Sequence, residues 1–429
     1  MRILVVGGGG REHALCWALR RDLPDATLLA APGNPGTAQL GTNLPIAATA
    51  VDDLVRAATD QRIDLVVVGP EAPLAAGLVD RLRVAGRAAF GPTRAAARLE
   101  WSKAFAKDVM RKADVPTAAS REFGNFADAR AYIAGAHSER LVVKASGLAA
   151  GKGVVVCDTR ADAERAARAM LEGDAFGDAG REIVVEELLE GEELSVMALT
   201  DGQQIAILPP AQDHKRLLEG DAGPNTGGMG AYCPVSITTP ALLARVRREV
   251  FEPVLWEMQA RDTVYQGVLY AGLMIAPDGT PKVLEFNCRL GDPEAQVILP
   301  VLPRGAMTDL AAIARGEWRP AADAIAPTGT AVTTVLAARG YPEKPELGAA
   351  ITLPSGLGPD VLVFHAGTAT GEGGALRVAG GRVLAVTALG RSVKEAAEKS
   401  AAACARIEFA GKTFRRDIGW REIARAGAA

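Results

Sequence analysis

The chain has 429 residues, 48% apolar and 23% charged, with a formal net charge of −3. That length exceeds one compact core and predicts about two to four domains, while the charge gives no reason to expect a polyanionic partner such as nucleic acid. The five cysteines (Cys16, Cys157, Cys233, Cys288, Cys404) form no CxxC pair, which argues against structural zinc and a disulfide framework.

The N-terminal Ile3–Val6 reads as a strand that turns into glycine at Gly7, too soon for the apolar core of a signal peptide. No apolar run reaches the ~20 residues that span a bilayer. A cytoplasmic chain with no membrane partner is therefore expected. Strand, glycine run (Gly7, Gly8, Gly9, Gly10) and a helix from Arg11 to Leu19 follow one another, an arrangement that lets backbone approach a ligand at a helix N-terminus. The spacing meets the dinucleotide fingerprint only loosely. The ribose-binding acid expected ~20 residues on is also missing, since Thr27–Ala30 runs into Ala31-Pro-Gly-Asn-Pro-Gly36. NAD is thus disfavoured against a smaller phosphorylated ligand. Leu65–Val68 ending in Gly69–Leu74, and Ala88–Phe90 ending in Gly91-Pro92, continue an alternating β/α pattern. Ligands of open parallel sheets collect at such strand ends, which makes Glu71 a candidate for sugar hydroxyls or an amine.

A helix is expected to begin at Glu100 and to end before Pro116, with Lys103 and Lys107 one turn apart on a solvated face. A β-rich unit follows: Leu141–Ala145, the glycine-rich turn Ser146–Gly153, and Val154–Cys157. Lys144 on the strand, beside Gly151 and Lys152 in the loop, suits a cover over phosphates; it is not Walker A, because Gly153 stands where Ser or Thr is needed. Glu186 and Glu187 close the strand that begins at Ile183 and lead through Leu188 to Glu193; a ribose neighbour and a charged hairpin are both open readings.

Gln212–Arg216, with Asp213, His214 and Lys215, precedes the glycine-rich stretch Gly220–Tyr232, expected at the surface with donors suited to a substrate pocket. Proximity alone does not make His214 a base. In Val283–Gln296, strand alternation puts Glu285 and Asn287 on one face with Arg289 just beyond. A carboxylate and an amide oxygen are hard ligands suited to Mg²⁺, and a guanidinium suits phosphate or carboxylate. Together they suggest activation of a carboxylate by a nucleotide. The preceding strand, Leu269–Ile275, adds no acid, so the metal shell is incompletely accounted for, with Asp292 and Glu294 nearby. Past a break at Trp318–Pro327 come β-rich segments (Ala331–Leu336, Val361–Phe364, Val383–Val386), a helix over Ser392–Cys404 and a tail at Thr413–Arg421. His365, at a strand end there, reads as structural.

In order along the chain, Gly7–Leu15, Gly69–Leu74, Lys144–Gly153, Asp213–Arg216, Gly223–Tyr232, Leu284–Glu294 and Arg416–Arg421 resemble the phosphoribosylamine–glycine ligase family of the ATP-grasp superfamily. The resemblance implies an α/β (α+β) architecture. Its parts are an N-terminal open parallel sheet domain (1–101), a central ATP-grasp domain (102–320) with a mobile β-rich lid at about 118–189, and a small β-rich C-terminal domain (326–424). It also implies ATP-dependent ligation of glycine to 5-phosphoribosylamine in a monomer, giving glycinamide ribonucleotide, ADP and phosphate through glycyl phosphate. ATP would be co-substrate and Mg²⁺ or Mn²⁺ the cofactor.

By the same resemblance, Lys103 and Lys144 would contact ATP phosphates under a loop containing Gly151 and Lys152. Glu186, Glu187 and Leu188 would border adenine and Glu193 the ribose. Glu285 and Asn287 would hold the metal, and Arg289, with Lys144, would steady the acyl phosphate. Gly8, Gly9, Gly10 and Glu71 would hold phosphoribosylamine, with Asp213 and Lys215 in the shared substrate pocket. Two positions depart from the family pattern: Ala295 replaces a common threonine and Trp101 a small residue.

Overall fold

The computed structural model of the chain describes residues 1–147, 153–173, 177 and 179–428, so Gly151 and Lys152 lie outside the described residues. The N-terminal part forms five strands, β1 (Arg2–Gly7), β2 (Thr27–Pro32), β3 (Thr42–Asn43), β4 (Leu65–Val68) and β5 (Ala89–Phe90), in the order β3-β2-β1-β4-β5. All pair in parallel, as the alternating β/α pattern predicts. Ile3, Leu4, Val5 and Val6 are fully buried, with Leu4 and Val6 in one core and Ile3 and Val5 in another. Burial on both faces is why β1 is an unbroken apolar run. The strand order reverses between β1 and β4, so Gly7 and Gly69 at their carboxyl ends flank a crevice.

The helix expected from Glu100 is broken. A turn of helix, Arg98–Trp101, stops at Ser102, which has extended backbone and caps the helix Lys103–Lys112 by accepting from the Phe105 N–H at 3.2 Å. Lys103–Lys112 leads into a second sheet: β6 (Ser120–Phe123), β7 (Leu141–Ala145), β8 (Val154–Cys157) and β9 (Ile183–Glu187), antiparallel in the order β6-β9-β7-β8. Helices Phe126–Ala134 and Arg160–Leu171 back it, and its separate core includes Phe123, Ile133, Val143, Met170 and Val185.

Along the chain then come β10 (Glu192–Thr200), β11 (Ile205–Ile207), β12 (Gln212–Asp213), β13 (Arg216–Leu218), β14 (Ala222–Asn225), β15 (Gly230–Cys233), β16 (Gly267–Ile275) and β17 (Pro281–Asn287). The C-terminal part adds β18 (Thr330–Ala337), β19 (Val361–His365), β20 (Thr368–Thr370), β21 (Leu376–Val378) and β22 (Arg382–Gly390). A central antiparallel sheet runs β11-β10-β16-β17, and a further sheet runs β12-β15-β18-β22-β19. The expected surface stretch Gly220–Tyr232 is therefore only half exposed. β13 and β14 make a hairpin whose β14 residues are exposed, but Met229 and Tyr232 are buried and β15 lies inside the sheet. Gly230 permits this, since a Cβ there would lie 2.6 Å from the Thr333 carbonyl oxygen. The C-terminal sheet is thus pinned to the chain that carries Asp213 and Lys215. No single helix among the described residues is long and apolar enough to cross a membrane.

Three buried histidines fasten these parts together. Nδ1 of His13 accepts from the His365 backbone N–H at 2.8 Å, and Nε2 of His214 accepts from the Gly419 N–H at 3.1 Å. His214 is thereby a structural acceptor away from the cleft. Burial first, then His365, lowers His13 from 6.5 to about 3; burial and Arg415 lower His214 to about 3; burial lowers His365 to about 4. The unfolded chain therefore binds more protons between pH 6.5 and these values. Stability is full above pH 6.5 and is lost as pH falls toward 4, by on the order of 2 kcal/mol per histidine at pH 5. Urea midpoints at pH 7.5 and 5 are expected to show this drop, with a shallower drop for His214→Gln. Equal pH dependence in that variant would remove His214 from the account.

Candidate active site

A cavity of about 390 Å³ opens where β17, the helix Lys103–Lys112, β8, β9 and the N-terminal strand ends meet. Glu285 and Asn287 reach it from the end of β17. The ladder between β16 and β17 slips there, from Gly272 opposite Glu285 to Leu273 opposite Val283. This bulge leaves the Leu284 carbonyl to accept from Lys144 Nζ at 3.0 Å. Burial alone would raise the Glu285 pKa, but Lys215, Lys103, Lys144 and Arg289 outweigh it and hold the carboxyl below its usual range. Burial lowers Lys103 in turn, with Glu285 opposing the shift.

Lys107 is a correction to the solvated helix face: its side chain is 4% exposed. It lies 3.2 Å from Glu186 Oε1 and donates to Thr117 Oγ1 at 2.8 Å. Lys144 pairs with Glu186 Oε2 at 2.9 Å, so one buried carboxylate bridges two lysines from different elements. Glu186 also lines the cavity. Glu187 points elsewhere, accepting from the Ala119 N–H at 3.1 Å, and Leu188 follows the end of β9. Glu193 pairs with Lys215 at 2.5 Å. Burial pushes Asp213 up to about 7, with Lys215 opposing and Glu294 and Glu193 adding to the rise.

Arg289 occupies the other end. Its Nε lies 3.3 Å from Glu71 Oε2, and one terminal nitrogen is 2.8 Å from Glu100 Oε1 and 3.3 Å from Asn287 Oδ1. Glu71, expected to face a sugar, thus lines the cavity while paired to Arg289. Arg11 donates to the Leu290 carbonyl at 3.0 Å. Arg382, from β22, donates to the Asp292 carbonyl at 2.7 Å and pairs with its side chain at 3.3 Å. The Gly8–Gly10 turn is adjacent: the Gly9 N–H donates to Glu12 Oε2 at 2.6 Å, and a Cβ on Gly9 would lie 3.6 Å from Asp292 Oδ2.

Glu294, one of two acids left open as metal ligands, accepts instead from Tyr270 at 2.6 Å and Ser195 at 3.1 Å. Sequence reasoning therefore missed Arg11, Glu100, Lys107 and Arg382. Among the described residues no cluster of three His, Cys, Asp or Glu could hold a metal alone. Glu285 and Asn287 offer two hard oxygens, which fits a cation that completes its shell with phosphate oxygens and water, as Mg²⁺ does.

Residues 1–100 match the phosphoribosylglycinamide synthetase N domain, residues 101–295 its ATP-grasp (A) domain and residues 331–421 its C domain. The phosphoribosylamine–glycine ligase of Chlorobaculum tepidum is 47% identical over 432 residues, covering 99% of this chain and 100% of that protein. The human trifunctional purine biosynthetic protein adenosine-3 is 46% identical over 426 residues, covering 99% of this chain; the chain spans 42% of that protein's length. The crystal structure of the Thermotoga maritima phosphoribosylamine–glycine ligase matches with a TM-score of 0.86 at 37% identity, covering 97% of this chain and 100% of that one. A biotin carboxylase domain of Hydrogenobacter thermophilus 2-oxoglutarate carboxylase, in complex with MgADP, matches at 0.72 with 16% identity over 96% of this chain and 91% of that one, a likeness of fold alone.

Proposed function

The chain belongs to the phosphoribosylglycinamide synthetase family of ATP-grasp ligases, whose step lies in purine biosynthesis, and we propose that its cleft activates glycine with ATP for capture by 5-phosphoribosylamine. The observation that carries this reading is the convergence of Lys103, Lys107, Arg11, Arg289 and Arg382 on one cavity around Glu285 and Asn287. Such a site neutralises phosphates while holding an acid beside them.

A carboxylate is a poor electrophile because oxide is a poor leaving group. A glycine carboxylate oxygen attacks the γ-phosphorus, the bond to the bridging oxygen breaks and ADP leaves. The sugar amine then attacks the carbonyl carbon of glycyl phosphate, phosphate leaves with the C–O electron pair, and the amine gives up a proton. Lys144 and Lys103 hold the phosphates of ATP, and Arg289 faces the acyl phosphate. Glu186 borders the adenine, and Glu193 takes the ribose. Asp213 and Lys215 face glycine and the amine, and Glu71 with the Gly8–Gly10 turn borders the sugar. Glu285 and Asn287 would hold Mg²⁺ or Mn²⁺, which when bound neutralises charge on the transferring phosphoryl group. One chain supplies every residue named, so a monomer suffices.

The test is ADP release with ATP, Mg²⁺ and glycine, with and without phosphoribosylamine made in situ from ribose 5-phosphate and ammonia. The expected result is release that requires both substrates, with one glycinamide ribonucleotide per ADP. Release indifferent to glycine would overturn the reading.

A further inference from the structure

Glu100 is the acid of the cleft that holds residues 288 and 289 together, one oxygen on each. It sits in the last turn of Arg98–Trp101, just before the break at Ser102, and its side chain is 7% exposed. Oε2 accepts from the backbone N–H of Cys288 at 2.8 Å and from its thiol at 2.9 Å. Oε1 lies 2.8 Å from Arg289, against 3.3 Å for the contacts of Arg289 with Glu71 and with Asn287. Glu71 is also the more exposed carboxylate, at 33%.

Cys288 and Arg289 come directly after β17 ends at Asn287, so sheet pairing no longer fixes the backbone there. One carboxylate takes over that task, gripping the backbone of residue 288 and the guanidinium of residue 289 together. A free arginine samples many rotamers, and charge-assisted pairing to a buried partner selects one. Without Glu100, Glu71 is the carboxylate left within reach, and it draws the guanidinium toward the N-terminal sheet.

We infer that Glu100 is a positioning residue for the ligation, holding Arg289 toward the anion that forms in the cleft. This rests on the role of Arg289 proposed above. Glutamine cannot replace it, because its single oxygen serves either Arg289 or the Cys288 N–H and its amide then opposes a second donor.

The test compares the wild-type chain, Glu100→Gln, Arg289→Lys and the double variant in the glycine-dependent ADP assay. Glu100→Gln is expected to lower kcat at least tenfold, with KM for ATP within twofold and cooperative urea unfolding retained. On the Arg289→Lys background the same change is expected to cost less than twofold, because coupled residues are not additive. A kcat within twofold of wild type, or an undiminished loss on the Arg289→Lys background, would overturn the inference. Should Glu100→Gln not fold, or Arg289→Lys be too slow to measure, Glu100→Asp decides. It keeps the charge but withdraws it by one methylene; loss of kcat at unchanged KM for ATP supports the inference, and preserved kcat overturns it. A wild-type chain without glycine-dependent turnover would instead sink the ligase reading itself.

Discussion

Glu285→Ala is expected to lower amine-dependent ADP release at least a thousandfold, about 4 kcal/mol in the barrier, while the chain still unfolds cooperatively in urea. Lys215, Lys103, Lys144 and Arg289 all bear on this carboxyl and keep it ionised against its burial. Removing it takes away one of two hard oxygens at the end of β17 and leaves the cations uncompensated where a metal would enter. Glu285→Gln keeps the shape and loses the charge, so it should fall nearly as far; recovery in that variant would point to packing instead. Because the carboxyl sits below its usual range, Glu285 itself should add no inflection to the kcat profile between about pH 6 and 9. Activity within threefold of wild type, a loss under ~0.7 kcal/mol, would remove Glu285 from the metal site.

The Glu285–Asn287–Arg289 spacing was legible because strand periodicity turns i and i+2 into a shared face whatever the partners are. The parallel N-terminal sheet was legible for a related reason: apolar runs ending in glycine recur between helical patterns, and doubly buried strands have little other way to read. What stayed hidden is what depends on partners distant in sequence. Lys107 looks like a solvated helix lysine until Glu186, from β9, meets it at 3.2 Å. Glu100 looks like ordinary helix surface until Cys288 and Arg289 arrive against it. β12 has two residues and β15 lies in a glycine-rich stretch, so neither carries a strand signal, and only the pairing of β12 with β15 and of β15 with β18 reveals them. Arg382 belongs to a β-rich segment with no local motif and enters the cleft through sheet geometry alone.

The largest stability effect should come from Glu186→Ala. Lys107 and Lys144 are buried on either side of this carboxylate, with side chains 4% and 7% exposed, so its removal leaves two buried like charges facing each other. Breaking a buried pair by deleting one partner typically costs about 3–5 kcal/mol, and here one deletion unpairs two cations. A surface pair such as Arg56–Asp53, with side chains 69% and 56% exposed, should cost almost nothing when broken. The sign of the pH dependence is fixed as well. Burial already lowers Lys107, with Glu186 the main opposing charge; without Glu186 the folded form favours neutral Lys107 still more. The variant's deficit should therefore shrink as pH rises toward ~9–10, where Lys107 can lose its proton. Urea midpoints of wild type, Glu186→Ala and Glu186→Gln at pH 7 and 9.5 would check this. A deficit below ~1 kcal/mol at pH 7, or one that grows with pH, would mean that the lysines find solvent or another anion and that Glu186 does not bridge them.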